Sequence, residues 1–323
     1  MRAWFLPLIL VLGIASPALG QDFDPKRIYQ KASKAVVLIA AFDRGEKIGS
    51  SGTGSIIQAD GLVLTNAHVV VNKETNRPYD LIRVFLKPDR VTGNIKSDTA
   101  RKFKATLVNY SNSLDLAVLR IEKSRFSTPL PHLKFSDLAE TSIGDPVLAI
   151  GHPEQGGLWT LTTGTISSLI ENFGNVPGKD VFQTETSINR GNSGGPLIDR
   201  HGLMVGINSM IAREGEGGVT ITDINFSVKS TVAVRWMNSV GYSYNYANPQ
   251  PAPADNTPTD NAGIVPVPKQ EPEPSEIKPE PKPPEEPKIL TEIRPYKEQD
   301  LVQQIEDEME DMMEEMKGKI RSR

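Results

Sequence analysis

The chain has 323 residues with a formal net charge of −4, and it contains no cysteine, which excludes disulfide bonds and metal–thiolate sites. The charge is divided along the chain: residues 247–323 hold 10 basic and 18 acidic side chains, a net charge of −8, which leaves +4 on residues 1–246. Neither part contains the dense basic cluster that nucleic-acid binding requires, so no nucleic-acid partner is expected.

Residues 1–20 have the three parts of a secretory signal peptide. Arg2 supplies a positive charge, residues 4–14 form an apolar run, and Ala18-Leu19-Gly20 is a small-x-small cleavage motif. A membrane anchor is the alternative, but the run is shorter than the roughly 20 residues that a span requires, and Pro7 interrupts it. We therefore expect an exported protein, periplasmic or extracellular, with no stable membrane span after cleavage.

Residues 21–246 predict one all-β domain, because short apolar or alternating runs recur between turn signals. Roughly 220 residues can bury a substantial core as a single unit. The pattern fits a barrel or a sandwich, and a closing helix is expected over residues 230–240, where apolar residues share one side. The runs form two sets of six, at residues 35–41, 52–58, 62–65, 81–86, 104–110 and 117–122, and then at 146–150, 158–169, 181–186, 196–198, 203–210 and 218–226.

Two ionisable residues interrupt these apolar runs. His68 follows the strand-like run 62–65, and a lone histidine beside valines is more often a core residue than a base. Asp115 interrupts the apolar stretch 113–119, where an unpartnered buried carboxylate costs several kcal/mol, roughly. Asp115 therefore needs a partner, and His68 offers one.

Ser193 lies in the glycine-rich stretch 191–197, whose composition predicts a turn. Alone, such a stretch is usually a simple turn or a linker. Beside a base and a carboxylate, a serine becomes a nucleophile, because the base accepts its proton and the carboxylate orients the base. The order His68, Asp115, Ser193 along the chain is one of three orders known to build this geometry.

Three stretches together resemble the signatures of trypsin-like serine peptidases, and the similarity is closest to the bacterial HtrA/Deg branch. The resemblance covers roughly residues 28 to 240. It implies two six-stranded antiparallel β-barrels with a cleft between them, with the histidine and aspartate in the first barrel and the serine in the second. The three stretches are Thr65-Asn66-Ala67-His68, Asp115-Leu116-Ala117-Val118-Leu119 and Gly191-Asn192-Ser193-Gly194-Gly195-Pro196-Leu197.

The same resemblance implies the role of each site residue. His68, Asp115 and Ser193 would be the catalytic triad, in which Ser193 attacks the scissile carbonyl, His68 accepts its proton and Asp115 orients His68. The backbone N–H groups of Gly191 and Ser193 would form the oxyanion hole.

A substrate pocket is implied between the segment before the nucleophile loop and a later strand. Ile188, Ser209 and Ile211 are the expected substrate-binding residues. Ser187 stands six residues before Ser193, where a trypsin-like enzyme would place an acidic side chain. We therefore expect cleavage after small or medium aliphatic residues in unfolded or envelope proteins, with loose specificity, because an apolar pocket discriminates by only a few kcal/mol at most.

No cofactor and no metal is expected, because the four histidines lack metal-ligand spacing with neighbouring carboxylates. His132 lies in a polar connection and His201 in a predicted hairpin turn. His152 replaces the asparagine often found after Ala-Ile-Gly in related proteases, and a structural role is expected for it.

The C-terminal part departs from the resemblance, since many HtrA-like proteins carry PDZ domains there and we expect no typical PDZ domain in residues 247–323. Residues 247–296 are rich in Pro, Glu and Lys and predict an extended linker. Residues 297–323 predict an acidic amphipathic helix. Because an isolated helix of this length is marginal in water, we expect homo-oligomerisation or docking on a protein partner, with partial disorder as the alternative.

Three functions compete at this point. The first is an exported serine endopeptidase acting on polypeptides, and the second is a non-catalytic peptide-binding chaperone or scaffold that uses the same cleft. The third is a serine esterase, because the same triad acylates on esters. The complete His-Asp-Ser set favours an enzyme over a scaffold. The lack of a strand–Gly-x-Ser-x-Gly–helix elbow argues against a hydrolase-fold esterase.

Overall fold

A computed structural model describes residues 23–44, 49–122, 128–154, 156–209 and 225–247. The expected signal peptide, acidic helix and nearly all of the linker lie outside these residues. The strands are β1 Val36–Phe42, β2 Gly49–Gln58, β3 Leu62–Thr65, β4 Val71–Asn72, β5 Arg77–Pro78, β6 Leu81–Leu86, β7 Lys102–Ser111, β8 Leu116–Ile121, β9 Pro146–Gly151, β10 Thr160–Ile170, β11 Val181–Thr184, β12 Pro196–Ile198, β13 Met204–Ser209 and β14 Asn225–Lys229. The helices are α1 Pro25–Ala32, α2 Ala67–Val70, α3 Ile95–Asp98 and α4 Ser230–Ser239.

Twelve of these strands close into two antiparallel barrels, in the orders β1-β2-β3-β8-β7-β6 and β10-β11-β14-β13-β12-β9. The expected pair of six-stranded barrels is confirmed, and the sandwich alternative is wrong. Strand β1 is apolar throughout and buried at all seven positions, as expected for a strand that is covered on both faces. Strand β7 instead alternates between half-buried and exposed residues, so one of its faces meets water.

The sequence predicted the helix at the end of the domain but not the helix at its start. Helix α4 confirms the predicted closing helix, and β14 continues past the predicted end at residue 226 to Lys229. Helix α1 was not predicted. Its start signal is nevertheless present, because the Asp24 side chain accepts a hydrogen bond from the Arg27 amide at 3.0 Å and proline opens the first turn.

The two barrels pack closely against each other around Trp159. This side chain is only 2% exposed, and its indole N–H donates to the Val36 carbonyl of β1 at 2.8 Å. The Tyr29 hydroxyl of α1 in turn donates to the Trp159 carbonyl at 2.8 Å. Trp159, the residue before β10, is therefore anchored to β1 by its side chain and to α1 by its backbone. Within the described residues, no helix has the length and apolar character needed to cross a bilayer.

We expect Trp159→Ala to lower the free energy of unfolding by about 3–5 kcal/mol, because it leaves a large cavity between the barrels. Trp159→Phe should cost only about 1–3 kcal/mol, since it keeps most of the apolar volume but removes the indole donor from a buried carbonyl. Guanidinium unfolding followed by circular dichroism measures both. Equal unfolding midpoints for the wild type and Trp159→Ala would contradict the role of Trp159 in packing the two barrels together.

Candidate active site

His68 is presented at the point where a buried strand of the first barrel becomes a short helix. Strand β3 ends at Thr65, Asn66 follows in extended conformation, and His68 lies in α2. The imidazole Nδ1 lies 2.9 Å from each carboxylate oxygen of Asp115. The His68 backbone N–H, one of the amides that a helix start leaves without an intrahelical partner, donates to Asp115 Oδ1 at 3.1 Å.

Asp115 occupies the hairpin turn between β7 and β8, with a left-handed backbone (φ 58°). Aspartate tolerates this conformation better than most residues. The side-chain amide of Asn66 donates to the Asp115 carbonyl at 2.8 Å and so holds the turn. Sequence reasoning missed this role of Asn66. The only signal was a polar residue at the end of an apolar strand.

A residue of the second barrel also donates a hydrogen bond to the Asp115 carboxylate. The hydroxyl of Ser209, at the end of β13, donates to Asp115 Oδ2 at 2.8 Å. Ser209 was expected only as a wall of the substrate pocket, so its bond to the carboxylate adds a contact that the sequence did not suggest. Burial raises the pKa of Asp115, but the bonds and charge of His68 and the Ser209 hydroxyl lower it by more, so the net pKa lies below the usual value.

The loop that carries Ser193 packs directly against the segment that carries His68. The Ser193 carbonyl accepts the Thr53 backbone N–H of β2 at 2.8 Å, and the Ser193 residue is 4% exposed. Gly194 has φ 83°, and a Cβ there would overlap the Thr65 hydroxyl and lie 3.0 Å from the Asn66 nitrogen. A glycine is therefore required for the loop to approach the end of β3 this closely.

Backbone hydrogen bonds, both within the loop and to β13, hold the same loop in a defined shape. The Asn192 amide donates to the Asn189 carbonyl at 2.9 Å, the Gly194 amide to the Asn208 carbonyl at 2.8 Å, and the Gly195 amide to the Asn192 carbonyl at 3.1 Å. Within the described part of the chain, the Gly191 amide donates to no protein acceptor. Gly191, with φ 91°, has a conformation that other residues rarely adopt.

The expected pocket residues are only partly described. Ile188 is buried and Ser209 lies beneath the Asp115 carboxylate, whereas Ile211 is outside the described residues. Glu185 is exposed and accepts hydrogen bonds from the hydroxyls of Thr165 (2.7 Å) and Ser167 (2.6 Å) on β10. Its carboxylate is thus already engaged by the outer surface of the second barrel.

The other three histidines are not partners of the Asp115 carboxylate. His201 lies in the turn between β12 and β13, and His132 lies in an irregular connection, with its Nδ1 3.3 Å from the Leu130 carbonyl. His152 is fully buried behind the nucleophile loop. In the described ranges, no cluster of three or more His, Asp or Glu side chains could hold a metal ion.

Comparison with known proteins shows that this chain is similar to serine proteases. Residues 52–207 match the family model described as a trypsin-like peptidase domain. A probable periplasmic serine endoprotease of the DegP-like type from Hahella chejuensis is 33% identical over 192 residues, which make up 59% of this chain and 35% of that protein. A probable periplasmic serine protease of the do/HhoA-like type from Haemophilus influenzae is 34% identical over 185 residues, or 56% of this chain and 34% of that one.

A solved structure is also similar to this chain. The HtrA-type protease AlgW with a tripeptide shares 30% sequence identity and superposes with a TM-score of 0.54, covering 67% of this chain and 63% of that chain. The chain spans about a third of the length of the curated relatives it matches. The residues that match the family model, 52–207, lie within the two barrels.

The Ser209 hydroxyl should stabilise the ionised form of Asp115, so Ser209→Ala should lower the free energy of unfolding at pH 7 by about 1.5–3 kcal/mol. The native pKa of this carboxyl is depressed, so its contribution is present above the unfolded-state pKa of about 3.9 and is lost as pH falls through the native value. The difference between wild type and variant should thus shrink below about pH 4. Urea titrations from pH 3 to 7 measure it, and a difference that grows toward acid would contradict the assignment.

Proposed function

Since the chain contains a trypsin-like peptidase domain, we propose that it is a serine endopeptidase that hydrolyses peptide bonds through His68, Asp115 and Ser193. The observation that carries the proposal is the ring nitrogen of His68 held 2.9 Å from both oxygens of the Asp115 carboxylate, next to the loop that bears Ser193. This contact places a hydrogen on Nδ1 of the neutral ring, which leaves Nε2 as the base.

The proposed reaction has two halves. In the first half, the Ser193 hydroxyl attacks the scissile carbonyl while His68 Nε2 takes its proton, and the same proton then passes to the leaving amine as the C–N bond breaks. In the second half, a water molecule gives a proton to His68 and attacks the acyl–serine ester, which releases the carboxyl product and restores the hydroxyl. The ionised Asp115 stabilises the imidazolium that forms in each half.

The amides of Gly191 and Ser193 are proposed as the oxyanion hole. Negative charge develops on the substrate carbonyl oxygen in both halves, and fixed N–H donors stabilise it without reorganisation. The amides of Asn192, Gly194 and Gly195 donate to backbone carbonyls of the protein, whereas among the described residues the Gly191 amide donates to none, which supports a role for the Gly191 amide as a donor to substrate. The loss of one such donor typically costs on the order of 10²–10³ in turnover.

The proposed substrates are unfolded or envelope polypeptides in the periplasm. Three features support this: the signal-like residues 1–20, relatives named as periplasmic endoproteases, and a structural neighbour that holds a tripeptide. The buried Ile188, together with the absence of an acidic residue at position 187, supports a preference for small aliphatic side chains at the cleaved bond. We also propose, from the sequence alone, that residues 297–323 mediate homo-oligomerisation or bind a protein partner.

We expect the purified chain to digest casein and Ser193→Ala to lose the activity down to background, because removing a triad member costs on the order of 10⁶ in kcat. A fluorophosphonate probe should label the wild type at Ser193 and leave Ser193→Ala unlabelled. A wild type that binds unfolded peptides but neither cleaves them nor reacts with the probe would identify the chain as a peptide-binding scaffold instead.

We expect a peptide library to be cleaved mainly after valine, alanine and isoleucine, with kcat/KM about 10–200-fold higher than after lysine or phenylalanine, because the pocket wall contributed by Ile188 is apolar. Mass spectrometry of the fragments measures the preference, with Ser193→Ala as the control for contaminating proteases. Efficient cleavage after lysine would contradict the apolar pocket.

A further inference from the structure

The hydroxyl of Thr53, on β2, makes three polar contacts behind the nucleophile loop. Thr53 is fully buried. Its Oγ1 lies 2.6 Å from the Gly191 carbonyl oxygen and 2.9 Å from His152 Nδ1. The His152 backbone N–H also donates to this oxygen at 3.2 Å.

The direction of each bond follows from the number of protons available. A carbonyl oxygen only accepts, so the single hydroxyl proton of Thr53 points to the Gly191 oxygen. Nδ1 of His152 must then be the donor in its own contact, which assigns the hydrogen of the ring to Nδ1. Burial lowers the pKa of His152 to about 3, so the ring is neutral at physiological pH. Two N–H groups of His152 thus direct the hydroxyl proton toward Gly191.

The His152 ring has a defined orientation. It meets the Trp159 indole edge to face, with ring centroids 4.7 Å apart and an interplanar angle of 79°. Trp159 is itself anchored to the Val36 carbonyl of the first barrel. The ring that donates to Thr53 therefore packs on the side chain that links the two barrels.

The peptide units on both sides of Gly191 are held from this side of the loop. The Arg190 carbonyl accepts the Glu154 amide at 2.9 Å, and the Gly191 carbonyl accepts the Thr53 hydroxyl. In a trans peptide the N–H points opposite to the C=O, so the first bond sets the direction of the Gly191 N–H. A Cβ on Gly191 would overlap the His152 carbonyl oxygen, so the backbone is also in close contact there.

We propose that Thr53 and His152 form a positioning pair that holds the Gly191 carbonyl and so, together with the Glu154–Arg190 bond, keeps the Gly191 N–H directed at the developing oxyanion. This inference rests on the proposed function, in which that amide is a donor of the oxyanion hole. Neither side chain touches the substrate, and both act through the Gly191 backbone. An amide displaced by about 1 Å from the productive geometry can cost on the order of 10²-fold in rate.

The test compares Thr53→Val, which keeps the shape but removes the hydroxyl, with Thr53→Ser, which keeps the hydroxyl. Thr99→Val is the matched control, because Thr99 is 2% exposed and its hydroxyl donates to the Ile95 carbonyl at the same distance of 2.6 Å, in α3. Rates are measured on a chromogenic peptide, and kcat is calculated per active site. The active sites are counted by complete labelling with a fluorophosphonate, so that loss of folded protein does not alter kcat.

Thr53→Val should lower kcat on the order of 10²-fold with KM changed less than about threefold, since the change acts on the transition state. A peptide aldehyde, whose hemiacetal oxygen occupies the oxyanion position, should bind more weakly by a similar factor. Thr53→Ser should recover most of the loss, whereas Thr99→Val should match the wild type in kcat, KM and aldehyde affinity.

His152→Phe gives a second, independent arm. It should reproduce the kinetic loss of Thr53→Val, and the double variant should lose little more than either single one, because the two side chains act as one unit. If Thr53→Val does not fold, His152→Phe carries the same comparison. Wild-type kcat and aldehyde affinity in either folded variant would overturn the positioning role alone, while an inert wild type would overturn the proposed function and this inference with it.

Discussion

The ionised carboxylate of Asp115 is the constraint on which the rest of the site depends. With a side chain only 16% exposed, it would cost several kcal/mol if it were left uncompensated. Its donors come from segments far apart in the chain: the backbone and ring of His68 after β3, and the Ser209 hydroxyl at the end of β13. Because Ser209 belongs to the second barrel, the charge is satisfied only when both barrels are folded and docked.

Burial of this charge also explains the local distortion around it. The left-handed backbone at Asp115 aims the carboxylate at α2, and the buried Asn66 side chain stabilises that turn through the Asp115 carbonyl. Asn66 stands where a helix cap is expected, yet its amide serves the hairpin rather than the helix. Strained conformations of this kind persist where surrounding contacts determine them, which is typical of functional sites.

Strand β2 gives the nucleophile loop a second attachment, independent of the carboxylate. Thr53 binds the Ser193 carbonyl through its amide and the Gly191 carbonyl through its hydroxyl, while its own carbonyl accepts the Thr65 hydroxyl at 2.7 Å. The neighbouring strands β2 and β3 of the first barrel therefore place the serine loop and the histidine relative to each other. The two strands thus hold the two segments of the proposed site through backbone and side-chain hydrogen bonds.

The sequence by itself determined the all-β class and nearly all strands of the described barrels, because apolar periodicity and glycine-rich turns are local properties. The assignment of His68, Asp115 and Ser193 as a catalytic triad stays a prediction. The sequence pattern fits both a barrel and a sandwich, because the closure of a barrel depends on which strands pair. Only the tertiary structure decided that Ser209 binds the Asp115 carboxylate, that Asn66 holds the hairpin and that His152 acts on Thr53. Each of these contacts joins residues 49 or more positions apart, and hydrogen bonds between distant segments leave no periodic pattern in a sequence.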